Sequence, residues 1–233
     1  MIVRAALAAL ALLVTSPGAR SEEAVDLELV LAIDSSSSVD EQEWALQRQG
    51  YAKAFRDRRV QAAIVSGPNA RIAVAVLVWA DATRPRWDSG WFVLAGPEDG
   101  ERFAAFMSGL PREPLGGTGI GMGLAAAIRK LDRNGLTAPR QVVDVSGDGR
   151  ETPPRETVVL IGMAQAMAAA RGVTVNGLAI VNEDPALATW YRDNVMSGRG
   201  AFVIAAADYE DFARAIVEKL VREIEHQERL TRR

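Results

Sequence analysis

A strand-like apolar segment that ends in an acid and a run of hydroxyl side chains constrains this chain most. The apolar residues Val30 to Ile33 are followed by Asp34 and then by four consecutive serines. If the backbone stays extended beyond the strand, alternate side chains project to the same side. We therefore expect Asp34, Ser36 and Ser38 to converge, while the two serines between them face away.

One carboxylate and two hydroxyls make an all-oxygen cluster, which suits Mg²⁺, Mn²⁺ or Ca²⁺. A flexible serine linker is the alternative interpretation. The metal site is favoured because the serines lie between the apolar strand and a predicted amphipathic helix from Asp40 to Arg59. Asp40 is a plausible N-cap of that helix.

Composition limits the classes of function. The 233-residue chain carries a formal net charge of −3 and no cysteine, so disulfides and thiolate metal sites are ruled out. The mildly acidic balance argues against nucleic acid as a partner, because such binders normally present a basic face.

The first residues are typical of an export signal. Arg4 provides a positive start, Ala5 to Val14 form a short apolar core, and Ala19 to Ser21 offer small residues for cleavage. That core is too short to span a bilayer. We therefore expect residues 1–21 to be a signal peptide, residues 22–233 to form one domain without a membrane span, and the protein to be periplasmic or secreted.

Strand-like and helix-like segments alternate through the rest of the chain. This alternation predicts an α/β fold with a doubly wound, mostly parallel central sheet and helices on both faces. Ile72 to Trp79 and Gly90 to Leu94 are close enough to form a hairpin, which would add one antiparallel edge strand.

Ligands of open α/β sheets bind beyond the carboxyl ends of the strands. Three segments are expected at that edge: the Asp34 segment, Leu115 to Gly119, and Val145 to Gly149. They carry Thr118 and Asp148. Two carboxylates about 4 Å apart repel by roughly 4 kcal/mol at an effective dielectric near 20. Asp34 beside Asp148 therefore predicts either a raised pKa or a bound cation.

Nucleotide binding and serine-hydrolase chemistry have little support. The glycine-rich segment from Gly117 to Gly123 does not match the dinucleotide or P-loop patterns. The sole histidine, His226, lies in the charged end of the last predicted helix, where a solvated role is expected rather than a catalytic one.

At these positions the chain resembles a von Willebrand factor type A domain. Asp34, Ser36 and Ser38 match the D-x-S-x-S element of its metal-ion-dependent adhesion site, Thr118 matches the distant threonine, and Asp148 matches the distant aspartate. The resemblance implies that the two serines contact the ion directly. It implies that the threonine does so directly or through water, and that the acids often act through water.

The resemblance also implies that a partner protein completes the coordination with an acidic side chain. One departure is Ser-Gly-Asp-Gly around Asp148, where Thr-Asp-Gly is common. More narrowly, the segment Ala63 to Asn69, with Arg71 to Val74 and Trp79-Ala80, resembles an uncharacterised exported bacterial family of type A-like proteins.

These features lead to one main hypothesis of function. We expect an exported, non-catalytic, adhesion-type protein-binding module that depends on a divalent cation, with Mg²⁺ favoured over Mn²⁺ or Ca²⁺. The alternative is a Mg²⁺-dependent phosphoryl-transfer enzyme of the haloacid dehalogenase type, with Asp34 as nucleophile and Asp148 holding the metal. That chemistry normally needs a second acid where this chain has Ser36. A structural domain that binds no ion is the third possibility.

The turn from Asp81 to Asp88, after the predicted strand Ile72 to Trp79, is expected at the same edge as the metal site. Its side chains Arg84, Arg86 and Trp87 are candidates for a partner-binding rim, since Arg and Trp are common anchors of interfaces. Ordinary hairpin surface is the alternative.

Overall fold

The computed structural model describes residues 22–231 except 84–85, 113–114 and 153–158. The expected signal peptide, residues 1–21, lies outside the described residues. Among the helices that are described, none is both long enough and apolar enough to cross a membrane.

Strands and helices alternate as expected. The strands are β1 (Glu23–Ala24), β2 (Glu28–Asp34), β3 (Ile72–Trp79), β4 (Trp87–Asp88), β5 (Phe92–Leu94), β6 (Leu136–Thr137), β7 (Gln141–Gly147), β8 (Thr174–Ile180) and β9 (Val203–Ala206). The helices are α1 (Glu41–Arg56), α2 (Arg58–Ile64), α3 (Pro97–Ser108), α4 (Ile120–Lys130), α5 (Ile161–Arg171), α6 (Leu187–Asn194) and α7 (Phe212–Thr231).

The main sheet has seven strands in the order β4-β3-β2-β7-β8-β9, with β5 also paired to β3. β2 lies between β3 and β7 and is parallel to both. The predicted doubly wound, mostly parallel sheet is confirmed. The antiparallel edge consists of two short strands, because β5 pairs with the start of β3 and β4 with its end. β1 and β6 form a separate two-stranded parallel sheet.

The two faces of β2 pack against different sets of helices. Leu29, Leu31 and Ile33 belong to the hydrophobic cluster that includes α1, α3 and α7. Val30 and Ala32 belong to the second cluster, formed with α4, α5 and α6. Because every residue of β2 is buried, its last residue, and the loop that follows, are held in fixed positions.

The first helix begins where the sequence predicts and ends earlier. The Asp40 carboxylate accepts a hydrogen bond from the Glu43 backbone N–H, and the Glu43 side chain accepts one from the Asp40 backbone N–H, which is a capping box. The predicted continuous helix is wrong at Asp57. That residue is extended and its carboxylate accepts from the Arg59 N–H, so it ends α1 and begins α2.

A buried charge cluster joins the sheet to α7. The Lys219 ammonium lies 2.7 Å from Asp144 Oδ1 and 2.5 Å from Glu223 Oε1, and all three side chains are fully buried. Asn176 on β8 donates to the same Glu223 oxygen at 2.8 Å. Burial raises the pKa of Asp144 to about 7, against the lowering effect of Lys219. The cluster fixes α7 against the centre of the sheet.

We expect Lys219→Met to lower the free energy of unfolding by about 3–5 kcal/mol, because it leaves two buried acids without their cation. Urea denaturation followed by circular dichroism measures this change. Lys53→Met, at an exposed position of α1, is the control and should change stability by less than about 0.5 kcal/mol. Equal stability of the two variants would contradict the assigned role of the cluster.

Candidate metal site

The first loop of the site begins at the end of β2. The Asp34 side chain is fully buried, and its Oδ1 accepts a hydrogen bond of 2.8 Å from the Ser36 backbone N–H. The Gln47 side-chain amide of α1 donates to the Asp34 backbone carbonyl at 3.3 Å. The second carboxylate oxygen, Oδ2, is buried and has no hydrogen-bond partner. Oδ1 of Asp34 thus stabilises the loop, and Oδ2 remains available to accept a further hydrogen bond or to bind an ion.

Alternate serines of the loop point in different directions, although the backbone is not extended as expected. The Val39 N–H donates to the Ser36 carbonyl at 3.1 Å, which closes a turn across Ser37 and Ser38. Ser36 Oγ lies 3.1 Å from Ser38 Oγ, and Ser38 Oγ donates to Asp148 Oδ1 at 2.8 Å. The serines between them turn away: Ser35 Oγ donates to the Trp79 carbonyl at 3.3 Å, and Ser37 Oγ accepts from the Gly116 N–H. The hydroxyls of Ser36 and Ser38 therefore form a continuous chain to the second aspartate.

The glycine-rich segment lies directly beside this loop. Ser37 donates its backbone N–H to the Gly116 carbonyl at 2.8 Å, and its Oγ accepts from the Gly116 N–H at 3.1 Å. Thr118 exchanges two hydrogen bonds with Thr152, of 2.8 and 3.0 Å. The Thr118 hydroxyl lies 3.5 Å from the position that a Cβ on Gly149 would occupy. Thr118 therefore contacts the loop that carries Asp148.

Electrostatics favour a cation between these groups. Burial, followed by the neighbouring Asp148 carboxylate, raises the pKa of Asp34 to about 8. The described residues place no lysine or arginine in an ion pair with either buried acid, and one carboxylate oxygen of Asp34 has no hydrogen-bond partner. The negative charge of two ionised acids would therefore need a bound cation. Hydroxyl and carboxylate oxygens are the donors that hard divalent cations prefer. The residues present therefore fit such an ion.

The donor set is rich in hydroxyls and poor in acids. Within the described part of the chain, no three His, Cys, Asp or Glu side chains are grouped so as to hold a metal ion. Serine and threonine oxygens would have to supply most of the ligands. The assignment of Asp34, Ser36, Ser38, Thr118 and Asp148 as the metal-binding residues stays a prediction.

Three further residues contact the site and were missed by sequence reasoning. The Tyr209 hydroxyl donates to Asp148 Oδ2 at 3.0 Å, so both oxygens of that acid accept hydrogen bonds. Glu151 Oε2 accepts from the Gly121 N–H at the start of α4. The Tyr191 hydroxyl of α6 is buried near Asp34. No local pattern indicates the two tyrosines, because each reaches the site from another segment of the chain, whereas Glu151 lies on the loop that carries Asp148.

The structure describes two of the three residues of the predicted partner rim. Trp87 is half-buried and stacks on Phe106 of α3, with ring centroids 6.1 Å apart. Arg86 is also half-buried, and burial together with Arg129 lowers the pKa of its guanidinium. Arg84 lies outside the described residues. The rim stays a prediction, and Trp87 contributes to the core as well as to the surface.

Solved structures with the same fold include adhesive proteins. The pilus adhesin SpaC from Lactobacillus rhamnosus GG is 12% identical with a TM-score of 0.62, covering 87% of this chain and 31% of its own. The vWF domain of the type V pili tip protein Mfa5 from Porphyromonas gingivalis is 12% identical with a TM-score of 0.57, covering 87% of this chain and 96% of its own.

A third similar structure is the proximal thread matrix protein 1 of the mussel byssus, described with a zinc-occupied MIDAS motif. It is 15% identical with a TM-score of 0.54, covering 88% of this chain and 49% of its own. The chain thus spans about a third to a half of the length of the SpaC and byssus proteins that it matches. At these identities the similarity shows the fold alone.

No curated protein matches the chain. One protein family does: residues 24–228 match DUF1194, whose description is "Protein of unknown function". Since the match covers most of the chain, the protein belongs to the DUF1194 family, and its fold is that of a von Willebrand factor type A-like domain.

Proposed function

We propose that this protein is an exported, adhesion-type module that binds a partner protein through a divalent cation and catalyses no reaction. The observation that carries the proposal is the chain of hydrogen bonds from Ser36 through Ser38 to Asp148, at the edge of the sheet where Asp34 is buried. Hydroxyl and carboxylate oxygens connected in this way, beside a second acid, suit a hard divalent cation.

Each residue of the proposed site has a distinct role. The hydroxyls of Ser36 and Ser38 would bind the ion, with Thr118 contributing from the neighbouring segment. Asp34 and Asp148 would supply the negative charge around it. Because the proposed direct ligands are neutral, the ion keeps enough positive charge to accept an acidic side chain from the partner. Mg²⁺ is the proposed ion; Mn²⁺ and Ca²⁺ share its preference for oxygen.

The burial of Asp34 supports a binding role over catalysis. In the haloacid dehalogenase alternative, this carboxylate would attack phosphorus, and an attacking group must touch its substrate. The Asp34 side chain is 0% exposed, and the residue two positions later is a serine that contacts Ser38 rather than an acid. Adhesive proteins among the structural neighbours agree with the binding role.

Export and the partner surface complete the proposal. The apolar segment within residues 1–21 would direct the chain to the periplasm or the exterior. Arg84, Arg86 and Trp87 would form the rim that contacts the partner beside the ion. Two arginines there would attract a partner that carries acidic side chains.

Calorimetric titration of residues 22–233 with Mg²⁺, Mn²⁺ and Ca²⁺ tests the metal site. We expect saturable binding that Ser38→Ala weakens by tenfold or more, on the order of the loss seen when groups around a metal are removed. Ser37→Ala is the matched control, because the neighbouring hydroxyl faces Gly116 and its loss should leave metal affinity unchanged. The absence of saturable binding at millimolar metal would refute the site.

Metal binding should release a proton. In the metal-free protein Asp34 has a pKa of about 8, so it is mostly protonated at pH 7, and an ion favours the ionised form. We expect the apparent Mg²⁺ affinity to rise from pH 6 to pH 8. Titrations in buffers of different ionisation enthalpy measure the released protons. An affinity that is independent of pH over this range would contradict this electrostatic account.

The same raised pKa has a consequence for stability without metal. In the unfolded chain the pKa of Asp34 should be near its ordinary value of about 3.9. Between pH 4 and pH 8 the Asp34 carboxyl is therefore protonated in the folded state and ionised in the unfolded state. The Asp34 contribution to stability is therefore present below pH 4 and is lost as pH rises towards 8. Asp34→Asn should remove this slope, measured by urea unfolding in EDTA.

Partner binding should depend on both the metal and the rim. Immobilised wild-type protein should retain an envelope protein in Mg²⁺ and release it in EDTA, and Ser38→Ala should retain none. Arg86→Ala is expected to weaken retention several-fold while leaving Mg²⁺ affinity intact, since a rim charge acts on the partner and not on the ion. Retention that is equal in Mg²⁺ and EDTA would count against the adhesive role.

A further inference from the structure

The departure from the common Thr-Asp-Gly pattern lies at Gly147. A Cβ built on Gly147 would lie 2.7 Å from the Tyr191 hydroxyl and 2.8 Å from Asp34 Oδ2. A threonine at this position would therefore place its side chain against the first aspartate of the site. In this chain the Tyr191 hydroxyl of α6 occupies that space.

A second glycine of the sheet leaves room for the Tyr191 side chain. Gly177, on the neighbouring strand β8, would bring a Cβ to 2.9 Å from Tyr191 Cδ1. The Tyr191 ring thus packs against Gly177, and its hydroxyl packs against Gly147. Glycine in a strand interior commonly marks a site where another group approaches the backbone closely. A side chain at either glycine would clash with Tyr191, so both glycines are needed for the tyrosine to occupy this position.

Two buried polar atoms beside Gly147 have no hydrogen-bond partner. Tyr191 is 0% exposed and its hydroxyl has no hydrogen-bond partner; Asp34 Oδ2 is also buried and unpartnered. A buried polar group without a partner costs about 1–3 kcal/mol. Each atom lies within 2.8 Å of the position that a Cβ on Gly147 would occupy. A rotation of the phenol or of the carboxylate would bring the hydroxyl to the ionised carboxylate.

We propose that Tyr191 is a positioning residue of the metal site: its hydroxyl donates to Asp34 Oδ2 and replaces, from another element, the hydroxyl of the threonine that Gly147 omits. This inference rests on the proposed metal function. Burial and the Asp34 carboxylate raise the pKa of Tyr191 well above its usual range, so the phenol keeps the proton that it donates.

Both acids of the site are then held in the same way. Tyr209 donates to Asp148 Oδ2, and in the proposed arrangement Tyr191 would donate to Asp34 Oδ2 once that carboxylate is ionised. In each case the other carboxylate oxygen accepts from the serine loop, at the Ser36 N–H or the Ser38 hydroxyl. Such partners around the ligands fix the orientation and charge of metal-binding groups.

The first experiment measures Mg²⁺ affinity of Tyr191→Phe by calorimetry. We expect the dissociation constant to rise about 10- to 100-fold, as is typical when an outer hydrogen bond of a metal site is lost. Tyr51→Phe is the matched control: that tyrosine is equally buried, and its hydroxyl bonds Ser146 instead of the site. Its affinity should stay within about twofold of wild type.

The second experiment asks whether a hydroxyl at residue 147 can replace the phenol. Tyr191→Leu with Gly147→Ser should recover most of the affinity that Tyr191→Leu loses, whereas Tyr191→Leu with Gly147→Ala should not. A purely structural role of the tyrosine would make the two double variants equal. Circular dichroism melts in EDTA report whether each variant folds.

Each outcome gives a distinct answer. Wild-type protein that fails to bind Mg²⁺ overturns the proposed function, and this inference with it. Wild type that binds while Tyr191→Phe binds equally well overturns the inference alone. If the leucine variants do not fold, the comparison of Tyr191→Phe with Tyr51→Phe decides.

Discussion

The site depends on the parallel pairing of β2 with both β3 and β7. In this register Asp34 lies opposite Trp79, and Ile33 lies opposite Ser146, so the residues that follow β2 and β7 leave the sheet side by side. A shift of one residue would turn each side chain to the other face. Both faces of β2 are apolar but differ in size, with Leu29, Leu31 and Ile33 in one core and the smaller Val30 and Ala32 in the other, and this difference opposes the shift. Packing far from the loops thus sets the distance between the acids.

The protein buries acidic groups in two places and treats them differently. Asp144 and Glu223 have Lys219 between them, so an internal cation offsets much of their charge. Asp34 and Asp148 are both bonded to the serine loop, and the described residues place no lysine or arginine in an ion pair with either. A buried ion pair stabilises one conformation, whereas an uncompensated pair of acids leaves free energy that a ligand can recover. The first arrangement is structural and the second is suited to binding.

Sequence patterns predicted the features that depend on residues close together in the chain. Alternation of strand and helix gave the fold class, and the acid before α1 gave its cap. The strand followed by alternate hydroxyls gave the convergence of Ser36 and Ser38. The break at Asp57 was missed because the helical hydrophobic pattern continues through it, while its side chain competes for the backbone. The strands β1 and β6, of two residues each, are too short to show any period.

Long-range partners could not be predicted from one sequence. Tyr191 and Tyr209 lie more than a hundred residues from Asp34, on segments whose local patterns only indicate a core position. The glycines that admit Tyr191 read locally as weak strand residues, since glycine in a strand usually lowers its stability. The three-dimensional structure gives the reason for these glycines, because the Tyr191 ring of α6 fills the space beside them.

The pairing of Ser37 with Gly116 has a thermodynamic consequence. Two hydrogen bonds tie the serine loop to the glycine-rich segment, independently of the oxygens that face the proposed ion. Both loops are therefore ordered by the fold itself, and the conformational entropy of their backbone is lost during folding. An incoming ion would find a preorganised cage, and the main opposing cost would be the removal of its own hydration shell.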